Sequence, residues 1–260
     1  MRNHFLRFLG LHFLVALAAA LALSPRLLAQ AGPPAAGSAG SAGSKDLQGV
    51  WLFGGGDAFD LPRNAPFQPW AKAKFDTERN QHGPHVVLDY ASNTDPFIKA
   101  CDPLGVPRVL LANHPFKIVQ APSEVILLYE RSHDFREVYM DGRDHPKDMD
   151  PSWWGNSIGK WDGDTLVIDS VGFNDKTWLD YQGLPHSEAL HVVERYRRPD
   201  HDTLRLDLTI DDPKAYTMPW SATRNYRLKA WDIGEEICTP ESEKNFEQGI
   251  IKPASAPPAK

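Results

Sequence analysis

Hydrophobic and polar residues alternate along short segments in the second half of the chain, a pattern typical of strands with one buried face. The clearest case is 204–210, where every second residue is Leu or Ile and the intervening positions are polar. Nine segments are predicted to be strands: 49–51, 117–120, 124–130, 135–140, 157–161, 165–171, 190–198, 203–210 and 220–229. A helix is predicted at 67–79, with Trp70, Ala73 and Phe75 on one side.

Tight turns separate most of these segments. Asp162-Gly163 lies between two apolar runs, which is a strong hairpin signal. There is no regular alternation of strands and helices that would favour a parallel sheet. We therefore predict an all-β fold with minor α content: an antiparallel up-and-down β-barrel with one N-terminal helix and long loops.

The two ends of the chain differ in composition from the body. A basic start, an apolar run and Ala29-Gln30-Ala31 predict a signal peptide at 1–31, and hence a periplasmic or secreted protein. A Gly/Ala/Ser-rich linker at 32–44 and a Pro/Ala-rich tail at 252–260 are predicted to be disordered. The barrel domain is predicted at 45–251. No apolar run after the signal is long enough for a transmembrane helix.

The net charge limits the class of binding partner, and the cysteine content predicts a disulfide. The net charge is −6, which disfavours nucleic acid as a partner. Cys101 and Cys238 are the two cysteines, and in an oxidising compartment they predict one disulfide, although two unpaired buried thiols also fit the count.

The segment 141–198 contains four of the eight tryptophans, together with histidines and carboxylates. Large aromatic side chains beside a few polar groups favour a ligand pocket. Glu194 is predicted to face inward and to pair with Arg224, either as part of the pocket or only as an ion pair that fixes strand register. The predicted ligand-binding residues are Arg143, His145, Trp153, Trp154, Trp178, Glu194, Tyr196 and Arg224.

His186 and Asp180 are the candidate acid/base pair, because a carboxylate that orients a histidine raises its basicity. The alternative is a hydrogen bond that only ties down the loop. His186, His191 and His145 are possible ligands of a divalent metal, but their spacing is not the helical zinc motif, so no cofactor is predicted. Ser157 stands in a G-x-S-x-G pattern, but a strand follows instead of the helix that a nucleophile elbow needs.

Two resemblances emerge from these motifs. Gly49-Val50-Trp51, with Arg224 or Arg227 on the last strand, resembles the closed end of lipocalins, where an arginine covers the tryptophan ring. A second set of motifs resembles a family of secreted bacterial proteins without an established activity, which implies no catalytic residues. Its motifs are Cys101-Asp102-Pro103-Leu104-Gly105-Val106-Pro107, Asp141-Gly142-Arg143, Trp153-Trp154-Gly155, Gly163-Asp164-Thr165, Gly172-Phe173-Asn174, Pro185-His186-Ser187 and Glu194-Arg195.

These observations favour a barrel that binds a small, partly apolar molecule. One alternative is a cofactor-independent lyase, isomerase or hydrolase that uses His186 and Asp180. Another is a structural envelope protein whose tryptophans are only core. The sequence predicts neither a nucleic-acid partner nor a membrane span, and it does not indicate an oligomeric state.

Overall fold

The computed structural model describes residues 44–55 and 64–239. The predicted signal peptide, the C-terminal tail and nearly all of the predicted linker lie outside these residues. Within them, no helix combines the length and the apolar character that a membrane crossing requires.

Nine strands and two α-helices form the described part of the chain, and each predicted strand is present with its ends shifted by at most two residues. Two short 3-10 turns, Arg108–Leu111 and Arg131–His133, complete it. In chain order the strands are β1 Gly49–Phe53, β2 Phe116–Gln120, β3 Glu124–Tyr129, β4 Phe135–Tyr139, β5 Asn156–Asp162, β6 Thr165–Val171, β7 His191–Asp200, β8 Thr203–Asp211 and β9 Trp220–Lys229. The helices are α1 Pro69–Thr77 and α2 Pro96–Ala100.

The strands close into a barrel in their chain order, with β1 paired to β9. The predicted purely antiparallel arrangement is wrong at one position. β4 and β5 run parallel and share a single pair of partners, Tyr139 and Ile158. The connection 140–155 is long enough to return the chain to the same end of the barrel, which a parallel pair requires and a tight hairpin does not allow.

The predicted alternation determines what fills the barrel. The Leu and Ile side chains of β8 are buried, while their neighbours along the strand are partly exposed. Trp51 is also fully buried, and its indole donates a hydrogen bond to Leu47 O. The Arg198 guanidinium on β7 lies 5.2 Å from the Trp51 ring. An arginine does cover this tryptophan, but the prediction that it comes from the last strand is wrong.

The predicted helix is confirmed as α1, but its buried face differs from the predicted one. Ala71 and Phe75, four residues apart, are buried, whereas Trp70 is 43% exposed. The Trp70 indole donates to Lys214 O at the surface. Residues four apart share one side of a helix, so docking through Ala71 and Phe75 turns Trp70 outward.

Cys101 and Cys238 form the predicted disulfide, with their Cα atoms 5.7 Å apart. Cys101 ends α2 and Cys238 follows β9, so the bond ties the loop region before β2 to the segment after the last strand.

Changing both cysteines to serine should lower the free energy of unfolding by about 5 kcal/mol in the chain-entropy account, because the bridge spans 137 residues. Urea unfolding of the double variant beside the parent protein measures the difference. Thiol titration of the unreduced, unfolded parent should find no free thiol, and two free thiols per chain would contradict the bridge.

Candidate functional site

A buried ion pair lies inside the barrel. Glu194 is 0% exposed and its Oε1 accepts from Arg136 Nη2 at 2.6 Å. The Tyr196 hydroxyl donates to Glu194 Oε2 at 2.7 Å. Both carboxylate oxygens are thus satisfied, as a buried charge requires.

The predicted pairing of Glu194 with Arg224 is wrong, because Arg136 occupies that role. The two residues reach each other from β4 and β7, whose alternation turns both inward. Arg224 faces Leu206 across the sheet, and its Nη1 donates to Thr223 O.

Two serines complete the contacts of Arg136. Its Nε donates to Ser157 Oγ at 2.9 Å and its Nη2 to Ser170 Oγ at 2.8 Å. Ser157, the central residue of the G-x-S-x-G pattern, is therefore an acceptor for an arginine. Burial alone would lower the pKa of Arg136, but the neighbouring Glu194 charge raises that pKa above its ordinary value. The guanidinium remains charged.

Two buried donors of this cluster make no well-aligned hydrogen bond to the described residues. They are Arg136 Nη1 and the Tyr129 hydroxyl. The Tyr129 ring stacks on Trp154, with the ring centroids 5.5 Å apart and the planes 8° from parallel. Burial raises the pKa of Tyr129, while the charge and the hydrogen-bonding contact of the neighbouring Arg136 act in the opposite direction, so the phenol keeps its proton. Buried polar groups without partners are uncommon in folded proteins and call for an explanation.

A cleft of about 320 Å³ reaches this cluster through the wall of the barrel. The cleft opens because β4 and β5 are paired only at Tyr139 and Ile158. The residues that precede this pair in each segment, 134–137 and 154–157, separate and line the cleft. Its lining residues come from these two segments: Asp134, Phe135, Arg136, Glu137, Tyr139, Trp154, Gly155, Asn156 and Ser157. The cleft thus extends from exposed side chains at its mouth to the buried Arg136 and Ser157.

Several of the predicted ligand-binding residues surround this cleft. Trp154 lines it directly. Arg143 lies at the rim, with its guanidinium 4.0 Å from the Tyr139 ring and paired to Asp141. His145 Nδ1 is 2.7 Å from Oδ1 of the lining residue Asn156. Glu194 and Tyr196 lie in the barrel interior, where the Glu194 carboxylate accepts from both Arg136 and Tyr196.

Two of the three predicted metal ligands meet on the outside of the barrel. His145 Nε2 and His191 Nε2 each lie 3.0 Å from Asp169 Oδ1. His186 bonds elsewhere, to Thr177 and Ser187. Among residues 44–55 and 64–239, no group of three or more His, Cys, Asp or Glu side chains is arranged to hold a metal ion.

Trp178 and Trp153 lie among the loops and not in the cleft. The Arg108 guanidinium is 5.2 Å from the Trp178 ring and 4.6 Å from the Tyr181 ring. Arg108 also forms a buried two-point ion pair with Asp95. Trp178 is therefore part of a packed cation–aromatic layer. Trp153 is half-buried, with Lys176 Nζ 5.9 Å from its ring.

His186 and Asp180 are both buried in the loop before β7, each with its own partners. His186 Nε2 is 2.7 Å from Thr177 Oγ1, and its Nδ1 is 3.2 Å from Ser187 O. Asp180 Oδ1 accepts from the main-chain nitrogens of Gln182 and Leu184. The hydrogen bonds of His186 thus go to Thr177 and Ser187, whereas Asp180 accepts from Gln182 and Leu184, so the predicted acid/base pair stays a prediction.

Comparison of the chain with protein-family models, with curated proteins and with solved structures finds no match. The resemblances to lipocalins and to a secreted bacterial family therefore stay predictions from sequence.

Sequence reasoning did not single out Arg136 or Tyr129. The signal for Arg136 was present: in Phe-Arg-Glu-Val-Tyr, an inward Val138 requires Arg136 on the same face. The same assignment turns Phe135 outward, where it is 59% exposed. An exposed phenylalanine beside a buried arginine is the reverse of the usual pattern. Tyr129 carries no such signal, since a tyrosine at the end of a strand is typical core.

Glu194→Ala should lower the free energy of unfolding by about 3–5 kcal/mol, because it leaves Arg136 buried without a counter-charge. The double change Arg136→Met with Glu194→Leu should lose less than this single change. Denaturant unfolding measures both. Arg195→Ala is the control, since it removes an exposed pair with Asp162 one position along the same strand and should change little. Equal midpoints for Glu194→Ala and the parent would contradict the assignment.

Burial lowers the pKa of His186 below its ordinary value of 6.5. The unfolded chain therefore takes up a proton that the folded chain does not, and folding stability falls as the pH drops below 6.5. The limiting slope is about 1.4 kcal/mol per pH unit. Urea unfolding between pH 7.5 and 5.5 should give a shallower slope for His186→Gln than for His201→Gln, which alters a ring at the β7–β8 turn. Equal slopes in the two variants would refute this origin of acid sensitivity.

Proposed function

We propose that this protein binds a small, partly apolar molecule in the cleft between β4 and the segment 154–157. The observation that carries the proposal concerns Arg136. This buried arginine lines the cleft, and its Nη1 makes no well-aligned hydrogen bond to a described residue. A ligand oxygen that accepts from this nitrogen would satisfy it.

The ion pair with Glu194 determines which kind of ligand oxygen can bind to Arg136. The Arg136 charge is already balanced, so the inner end of the cleft needs a hydrogen-bond acceptor more than it needs an anion. Arg136 Nη1 and the protonated Tyr129 hydroxyl are two donors of the same cluster. A carbonyl or hydroxyl oxygen suits them, because it accepts two hydrogen bonds without adding charge to a buried site.

The remaining walls provide apolar area. Trp154 lines the cleft and stacks on Tyr129, while Phe135 and Tyr139 line it from the outer face of β4. A volume of about 320 Å³ lies at the small end of the range for ligand pockets. The ligand is thus a single ring or a short chain with one acceptor group.

Export and a lipocalin-like architecture belong to the same proposal. The disulfide between Cys101 and Cys238 supports folding in an oxidising compartment, outside the cytoplasm. The closed barrel and the arginine over Trp51 support the lipocalin-like architecture.

Benzamide is a suitable probe, since it joins one ring to a neutral carbonyl acceptor. Titration followed by NMR should shift the Trp154 indole N–H signal and give a dissociation constant. Binding to variants is followed by saturation-transfer NMR, which observes the signals of the probe. Trp154→Ala should abolish saturation transfer to benzamide. Trp70→Ala should retain it, because Trp70 is on α1 and does not line this cleft.

Tyr129→Phe separates binding from folding. It should weaken benzamide binding roughly 3- to 10-fold and change stability little, since the lost hydroxyl makes no well-aligned hydrogen bond in the free protein. Tyr226→Phe is the matched control. Its hydroxyl donates to Leu110 O at 2.8 Å, so the change should cost about 1 kcal/mol of stability and leave the affinity unchanged. The proposal fails if benzamide leaves the Trp154 signal unmoved up to millimolar concentrations.

A further inference from the structure

The mouth of the cleft carries two carboxylates that have no ion-pair partner among the described residues. Asp134 and Glu137 line it, and neither forms a hydrogen bond through its side chain or an ion pair with another described residue. Asp134 is half-buried, and this burial raises the pKa of its carboxyl, with His133 acting in the opposite direction. An unpaired carboxylate removed from water costs free energy that a cation beside it would offset.

The other charges at the cleft are already balanced. Arg136 pairs with Glu194 in the interior, and Arg143 pairs with Asp141 at the rim. Asp134 and Glu137 are the other charged residues that line the cleft, so we expect a negative potential at its entrance. A carboxylate ligand would meet this repulsion before it reached Arg136.

Aromatic rings surround the same entrance. Phe135, Tyr139 and Trp154 line the cleft beside the two carboxylates. The Tyr139 ring already holds a cation on one face, the Arg143 guanidinium at 4.0 Å. Aromatic faces next to carboxylates are the combination that binds organic ammonium groups, because the ring quadrupole attracts a cation that is also weakly hydrated.

We infer that the mouth of the cleft is a site for an organic cation, so that the ligand is a small amine with an acceptor oxygen at its other end. This inference rests on the proposed function, since it assigns the ligand class of the same cleft. The ammonium group lies among Asp134, Glu137 and the aromatic rings, and the acceptor oxygen points inward to Arg136.

The inference is tested with three probes that each contain one phenyl ring and differ in net charge: benzylammonium, benzamide and benzoate. In low salt, benzylammonium should bind about 10-fold more tightly than benzoate, a difference equivalent to 1.4 kcal/mol. Added salt should weaken benzylammonium and leave benzamide unchanged, because screening acts on the charge alone. The shift of the Trp154 indole signal reports binding at this cleft for all three.

Asp134→Asn with Glu137→Gln should remove the preference for benzylammonium and retain the affinity for benzamide. Glu188→Gln is the control, since it removes an exposed carboxylate in the loop before β7. Benzoate binding as tightly as benzylammonium would overturn the inference, as would an unchanged preference in the double variant. In either case, a shift of the Trp154 indole signal on addition of benzamide would still support the proposed function. If none of the three probes shifts the Trp154 signal, the proposed function fails as well.

Discussion

The ion pair between Arg136 and Glu194 is the constraint around which the barrel interior is arranged. Two charges removed from water are tolerated only when their hydrogen-bonding groups are satisfied. Tyr196, Ser157 and Ser170 supply most of these contacts from three different strands. The pair therefore fixes the relative positions of β4, β5, β6 and β7. It also leaves one guanidinium nitrogen unbonded where the barrel opens.

The opening itself follows from strand direction. Among the described residues, eight of the nine strand pairings are antiparallel, and closure leaves no free edge along them. The parallel contact between β4 and β5 consists of one residue pair, so the wall separates beside it. A weak seam in a sheet is a structural cost. Here the seam lies beside a buried cluster that contains unsatisfied donors, and the proposed function depends on this coincidence.

The inner end and the mouth of the cleft differ in charge. The inner end is neutral overall, because Arg136 and Glu194 cancel, and it offers donors. The mouth is acidic and aromatic, through Asp134, Glu137 and the rings around them. The proposed ligand, with its acceptor at one end and its positive charge at the other, matches this polarity. The tryptophans outside the cleft have a different role, since Trp178 packs against Arg108 and Trp51 against Arg198.

The sequence by itself determined the nine strands, the helix at α1 and the closed barrel, because alternation and turn residues act over a few neighbouring positions. It also indicated that Glu194 faces inward and that Cys101 and Cys238 pair. Only the tertiary structure decided which arginine meets Glu194, since partners on β4 and β7 are brought together by register and not by spacing along the chain. The same holds for the parallel seam, which depends on where the loop 140–155 returns. The candidate site lies at that seam, and its position was therefore beyond the reach of local sequence patterns.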